Sequence, residues 1–529
     1  MEPPPPANAS VDPAARAPES AARSAALVTA GIILSRLAGL ARQRIAAHYF
    51  GTSVTADVLA AAFRVGNITQ NLLGEGTLSA SFIPIYAKLR GEGRADAAAH
   101  FARSALGILI VVVVVASAVG VVAAPFITWL VAAGFEGEKL AQTVRVVRVA
   151  FPMTGLLVLS AWALGVLNVH RRFFLPYAAP VVWNLAQIAA MVAFGSWLSQ
   201  RDEPLAMAVA WGAFAGAALQ LLLLLPACHK LLGSLRPRFD TRDAGVREAA
   251  RRLPGALMGR GVIQLSGLVD TLLVSFLGAG ANATFGYAQT LYLLPMSLLG
   301  TGEAAAALPE MARMSADADV ARRNAALRKQ LEASLARVLV LSAPAMVALV
   351  IFGGELVTLL LQTGDFDRNS TDRVREPLAA YGFALLANAC GRIFATTCYA
   401  LGDTRAPART AIGRVVVSTV ISLVLMRSFG VLGVVLGAVM AAWIEAFALG
   451  LRVRAAIGGL DLRRIPVARV LLLAAACAGA GVGARAALPS PLLARPLGAA
   501  LVLAAFSVAF VIGAPALRLV SLGALLRRR

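Results

Sequence analysis

The sequence predicts an all-α polytopic membrane protein of about fourteen transmembrane helices, built as two pseudo-symmetric six-helix lobes plus two C-terminal helices. Three observations carry that expectation. The composition is apolar, with 59% hydrophobic and 15% charged residues, where soluble domains hold about a quarter charged. Apolar runs of about 20 residues, enough for about 30 Å of hydrocarbon, recur along nearly the whole chain. The third observation is an internal repeat.

Breaks of charge, Gly and Pro place the first six helices near 25–48, 56–87, 104–132, 146–168, 174–199 and 205–228. Six more fall near 254–278, 283–308, 335–362, 378–401, 408–427 and 431–452, and a last pair near 467–488 and 496–522. The expected division is a disordered tail over 1–22, an N-lobe over 23–228, a basic linker over 229–253, a C-lobe over 254–454 and an added C-terminal unit over 455–529. The tail is rich in Pro and Ala and lacks an apolar core, so it reads as neither helix nor signal peptide.

The net charge of +21 raises the question of nucleic acid. The basic residues are instead short clusters between apolar runs, with no basic domain and no aromatic RNA-binding motif, so no nucleic-acid partner is expected. Their distribution sets orientation. Alternate loops hold Lys88, Arg90 and Arg94; Arg171 and Arg172; Lys230 through Arg252; Arg313 through Lys329; Arg405 and Arg409; Arg452 through Arg464; and Arg527 to Arg529. The opposite loops, such as HYFGTSVTA and LGAGANAT, are nearly bare. Both termini are therefore expected in the cytoplasm. Cys228, Cys390, Cys398 and Cys477 form no CxxC pair and have no metal spacing with His, so they read as free thiols.

The repeat has an offset of about 226 to 234 residues. GLARQRIAAHYFG…NLLGEGTLSASFIP resembles GLVDTLLVSFLGAG…SLLGTGEAAAALP, and VLNVHRRFFLP resembles YALGDTRAPAR. Each pair holds the same place in its set of six helices. Parallel repeats of this kind put a substrate path between the lobes.

The chemistry lies in charges inside the membrane. Arg36 sits near the middle of the first helix, with Ser35 beside it and Arg42 and Arg44 further along. An arginine at the bilayer centre costs about 2.5–3.5 kcal/mol, which a water-filled, anion-attracting cavity or a structural ion pair would offset. On the second helix Asp57, Arg64, Asn71 and Glu75 fall within about 40° of one another at 100° per residue, with Asn67 at the border of the stripe. Lipid cannot satisfy such a stripe, so it faces a cavity or forms a salt-bridge ladder. Gly74–Glu75–Gly76 weakens the helix and predicts a bend. The second lobe offers Asp270, Glu303, Arg392 and Glu445. No P-loop, HExxH or GxSxG is present, so neither an enzyme nor a cofactor or metal is expected. Energy would come from an ion gradient or the membrane potential.

SRLAGLARQRIAAHYFG and DVLAAAFRVGNITQNLLGEGTLSASFIP resemble the first two helices of the MurJ (MviN) lipid II flippases, within the multidrug/oligosaccharidyl-lipid/polysaccharide exporter superfamily. LNVHRRFFLPYAAPVVWNL, FGYAQTLYLLPMSLLG and YALGDTRAPAR extend the likeness. The resemblance implies export of undecaprenyl-pyrophosphoryl-MurNAc-pentapeptide-GlcNAc by alternating access for peptidoglycan assembly. It further implies a lipid-tail groove on the last two helices, with membrane lipids and cell-wall synthesis proteins as partners. It makes Arg36, Arg42 and Arg64 the substrate-binding residues. Ser35, Asp57, Asn67, Gln70, Asn71, Glu75, Asp270, Thr290 and Arg392 would support the cavity. Four departures stand out: Gln43 replaces an acid, Gln70 and Thr290 replace arginines, and Ser418 and Ser422 replace a sodium-binding pair. These keep open a transporter of another polyprenyl-linked glycan or small molecule, and a non-transporting scaffold of cell-wall synthesis.

Overall fold

A computed structural model describes residues 13–493 and 495–519. The N-terminal twelve residues and Arg527 to Arg529 lie outside the described residues. The first half holds α1 (Pro13–Phe50), α2 (Val54–Leu73), α3 (Glu75–Gly91), α4 (Ala95–Val122), α5 (Ala124–Val131), α6 (Gly137–Val169), α7 (Phe174–Ala178), α8 (Pro180–Val192) and α9 (Asp202–Leu232). The second holds α10 (Ala244–Ser275), α11 (Ala281–Ser315), α12 (Val320–Ile351), α13 (Gly353–Leu360), α14 (Arg368–Ala400) and α15 (Arg405–Ala456). The chain ends with α16 (Val467–Ala487), α17 (Ser490–Leu493) and α18 (Pro496–Ala516).

Helix α1 starts at Pro13, inside the segment expected to be a tail, because AARAPESAARSAA is dense in strong helix formers. Among the described residues nine helical segments are long and apolar enough to cross a membrane. Helices α1, α2, α10 and α11 are not among them. They carry much of the intramembrane polarity: Arg36, Arg42, Asp57, Arg64, Asp270 and Gln289. Helix α15 covers two predicted segments in 52 residues and folds back at Gly430, whose φ of 55° and ψ of −131° only glycine adopts readily. Ser422 Oγ donates to the Val434 carbonyl across the turn at 3.0 Å. Ser418 and Ser422 are thus buried inside a helical hairpin.

The expected bend in the second segment falls at Gly74, which separates α2 from α3 with φ −93° and ψ −118°. Helix α3 packs on α6 and on α10 of the other half, and α10 also packs along α2 and α15. One end of the molecule, where α1 finishes and α2 begins, is called distal here. There a single hydrophobic core runs across both halves, with Phe50, Val58 and Leu59 against Phe285, Tyr287 and Leu361. Each half has its own core at the opposite, proximal end, around Trp162, Phe82 and Phe101 in the first and Met311, Leu331 and Ile393 in the second.

The segment joining the halves is tied to the first one. Arg238 N–H donates to the Arg103 carbonyl at 3.2 Å, and His100 Nε2 lies 3.0 Å from an Asp240 carboxylate oxygen. That contact and the Arg242 backbone N–H hold the Asp240 carboxyl below its usual range. Helices α16 and α18 pack on each other and on Phe352, where Arg485 pairs with Glu355 at 2.5 Å.

Gly430→Ala forces a side chain into a glycine-only conformation, which costs about 1–3 kcal/mol. The expected outcome is an unfolding midpoint lower by several degrees in detergent, read by differential scanning fluorimetry.

Candidate functional site

The distal seam is closed by hydrogen bonds that cross from one half to the other. Asp57, in the first turn of α2, is fully buried. Its two carboxylate oxygens accept from the backbone N–H groups of Gly280 and Ala283, each at 2.8 Å, at the start of α11. Those N–H groups belong to a helix N-terminus, where orphan donors and the macrodipole favour an anion. Lys139 Nζ, on α6, donates to the same carboxylate at 2.7 Å and lies 3.9 Å above the Phe135 ring. Gly280 has φ +82°, and a Cβ there would strike the Thr52 carbonyl, so the halves meet backbone to backbone. Further ties are Thr52 Oγ1 to Ser370 Oγ at 3.0 Å, Asp365 N–H to the His48 carbonyl at 2.9 Å and Arg44 Nη1 to the Leu359 carbonyl at 2.6 Å.

Directly below this seam lies a cavity of about 280 Å³. Its walls come from α1, α2, α8, α9, α10 and α11, and among the described residues its only charged lining residues are Arg42 and Arg64. Arg42 Nη1 donates to Gln187 Oε1 at 3.2 Å, and its guanidinium lies over the Trp183 ring at 5.5 Å. Gln187 is aimed by its own amide, which donates to the Trp183 carbonyl at 3.2 Å. Arg64 reaches into the other half: Nε donates to Thr271 Oγ1 at 3.1 Å and Nη2 to Gln289 Oε1 at 2.7 Å. Neither arginine has a carboxylate in salt-bridge range among the described residues. Two fixed cations held by neutral groups keep their attraction for an anion, which low dielectric strengthens.

The structure brings together Arg42, Arg64, Asn67 and Thr290 in the cavity lining, with Gln43 beside them. Arg36 and Ser35 lie outside that lining. Arg36 is exposed, six residues from Arg42 and so about 9 Å nearer the proximal end along the helix. Gln70 and Asn71 are half-buried further down α2, toward the break at Gly74. The Glu75 side chain lies outside the described residues. Asp57 pairs with Lys139 rather than with Arg64, so it belongs to the seam and not to a ladder on α2. Asp270 is buried on α10, next in the chain to Thr271, which holds Arg64. Arg392 is exposed on α14, outside the cavity. Glu303 pairs with Arg337 at 2.7 Å.

Sequence reasoning missed the neutral partners Gln187, Gln289 and Thr271, and it missed Lys139. Nothing local sets Lys139 apart from Arg145 and Arg148 on the same helix. It also missed a polar knot in the second half, where Arg414 Nη1 donates to Asn388 Oδ1 at 2.7 Å and to Glu445 at 3.0 Å, and Asn388 donates to Tyr292 Oη at 2.9 Å.

Residues 46–489 match a family model described as "Lipid II flippase MurJ". The lipid II flippase MurJ of Burkholderia cenocepacia is 32% identical over 438 residues, which cover 82% of this chain and 83% of that protein. A probable lipid II flippase MurJ of Rhizobium meliloti is 31% identical over 422 residues, 78% of this chain and 77% of that protein. Among solved structures, a lipid II flippase MurJ in an inward closed conformation superposes with a TM-score of 0.76 at 18% identity, over 93% of this chain and 98% of that one. An inward-facing multidrug resistance MATE family transporter of the MOP superfamily gives 0.66 at 17% identity, over 80% and 94%. These superpositions show a shared fold.

Removing one partner of a buried, hydrogen-bonded ion pair costs about 3–5 kcal/mol. Asp57→Ala is therefore expected to loosen the distal seam. A cysteine at Ala56, buried in the cavity wall just inside the seam, should then react with a membrane-impermeant maleimide at least tenfold faster than in the Asp57 parent.

Proposed function

The chain belongs to the lipid II flippase MurJ family, a family of transporters rather than enzymes, and on that premise we propose that it carries lipid II outward across the bacterial cytoplasmic membrane by alternating access. One observation carries the reading. Among the described residues, the cavity between the halves is lined by two arginines and no acid, a net charge suited to a diphosphate diester. Both termini face the cytoplasm in this reading, so the distal seam is the outer gate.

The steps follow from the contacts. The headgroup enters from the proximal side, and Arg36 is the first cation it meets along α1. Arg42 and Arg64 then bind the pyrophosphate through charge-assisted hydrogen bonds, for which planar guanidinium groups are well shaped. To do so Arg64 exchanges Thr271 and Gln289 for phosphate oxygens, which removes a bond between the halves. The lobes, spanning 23–228 and 254–454 with 229–253 as the linker, rock about the cavity. The Asp57 carboxylate leaves the α11 N-terminus, and the cavity opens outward. Helices α16 and α18 take the lipid tail.

The membrane potential supplies the drive. With the interior negative, each anionic charge moved outward gains about 2.3 kcal/mol per 100 mV. A diphosphate diester crossing the whole field gains roughly 4–5 kcal/mol. Ser418 and Ser422, closed inside the α15 hairpin, leave this member without the polar pair that a sodium-coupled relative would use.

The test is rescue of cells depleted of their own flippase, with lipid II measured on both leaflets. Arg42→Ala and Arg64→Ala, at normal expression, are expected to lower outward transport by about 10- to 100-fold, the effect of losing a hydrogen bond between charged groups. Arg64→Lys should keep an intermediate rate, and dissipating the membrane potential should slow the wild type. Undiminished rescue by both alanine variants contradicts the reading.

A further inference from the structure

Deep in the second half, two oxygens from different helical segments converge on one atom. Asn388 Oδ1 on α14 lies 2.7 Å from Arg414 Nη1, and a Glu445 carboxylate oxygen lies 3.0 Å from the same nitrogen. Arg414 and Glu445 stand on the two arms of the α15 hairpin. Counted from the proximal helix ends at about 1.5 Å per residue, the three residues lie about 14–18 Å deep, close to the middle of a bilayer. The Asn388 oxygen is aimed rather than free, because its amide nitrogen donates to Tyr292 Oη at 2.9 Å and to the Ala384 carbonyl at 3.0 Å. Glu445 has no other cation in salt-bridge range among the described residues.

An ion pair at this depth is costly, and apolar side chains of similar volume often fasten helices as well or better. Fastening alone therefore does not account for it. Its chemistry is that of a cation held by oxygen ligands, one anionic and one neutral. One carboxylate balances a single positive charge, whereas a divalent ion draws on more ligands and more acids. No group of three His, Cys, Asp or Glu suited to a metal occurs among the described residues. Coupling-ion sites of secondary transporters lie at this depth.

The knot is also connected to the transport cavity. Tyr292, which Asn388 holds, stacks on Tyr381 with ring centroids 4.8 Å apart. Three residues earlier on α11, Gln289 holds Arg64 of the first half. The wall that Arg64 grips is thus braced from behind by α14 and, through Asn388, by both arms of α15.

We propose that Asn388 and Glu445 form a monovalent-cation site in the second half, and that Arg414 fills it as a cation built into the chain. The guanidinium fastens α14 to the hairpin permanently, so no dissolved ion has to be loaded or released there in a turnover. Without the guanidinium, the same two oxygens and water are left to take an alkali cation.

The test reads ion binding, which does not depend on what the carrier moves. Full-length protein in detergent is melted in lithium, sodium, potassium and choline chloride at equal ionic strength. The wild type is expected to melt at one midpoint in all four. Arg414→Ala is expected to melt about 3 °C higher in about 100 mM of at least one alkali chloride than in choline, the scale for a weak ligand in excess. Arg414→Lys keeps a charge in place and should show no salt preference. The alkali gain should vanish when Glu445→Gln is added to Arg414→Ala. Arg392 stands one turn from Asn388 on α14, so the melts are repeated with Arg392→Gln, which stops that guanidinium from taking the vacated place. Recovery of folded Arg414→Ala only in an alkali salt is the expected result in a stronger form. A wild type stabilised by an alkali cation overturns the proposal. So does Arg414→Ala that shows no alkali gain in either background, or that cannot be recovered folded in any salt.

Discussion

The closed state hangs on one carboxylate. Asp57 is removed from water and would be costly there without partners. It is paid for by Lys139 and two backbone N–H groups at the start of α11. The bond to Ala283 spans 226 residues, the offset of the internal repeat, so it joins equivalent positions of the two halves. The start of α2 meets the start of its own counterpart, and an acid in one copy uses the helix N-terminus of the other. A symmetric pair of carboxylates would repel; one acid facing Ala283 lets the seam close.

Below that seam the same asymmetry recurs. Arg64 sits at the repeat position of Thr290, and Arg42 at that of Asp270 by the matching GLAR and GLVD segments. The first half thus supplies the cations and the second half supplies neutral or acidic partners. The cavity stays cationic because Thr271 and Gln289 hold Arg64 without neutralising it. A carboxylate in place of Gln289 would lock the guanidinium; an amide holds it more weakly. That is the balance a carrier needs, since binding energy must be released at each turnover rather than stored.

Much of this was legible in the chain. Apolar runs marked most helices, Gly74 marked the bend after α2, and the cost of intramembrane charge pointed to α1 and α2. Other features were not legible, for physical reasons. Gln187, Gln289 and Trp183 are neutral residues on long helices, and nothing local distinguishes a cavity-facing amide from a packed one. Asp57 looked like part of a polar stripe because helical periodicity gives an angle and no partner; its partners lie 82, 223 and 226 residues away. Arg36 lies outside the cavity lining although it is on the same helix as Arg42, because six residues at 100° each turn it to a different face. The start of α1 at Pro13 was missed because Pro-rich composition outweighed an alanine run that follows it.

The measurement that bears most directly on the account is a reversible lock on the distal seam. Thr52 Oγ1 and Ser370 Oγ lie 3.0 Å apart across the two halves, so cysteines at both positions can be cross-linked. In proteoliposomes with an imposed potential, the oxidised Thr52→Cys, Ser370→Cys protein is expected to move no lipid II, and reduction to restore transport. Transport that continues at the reduced rate while the cross-link is intact would contradict the account, because the substrate would then be crossing without the seam opening.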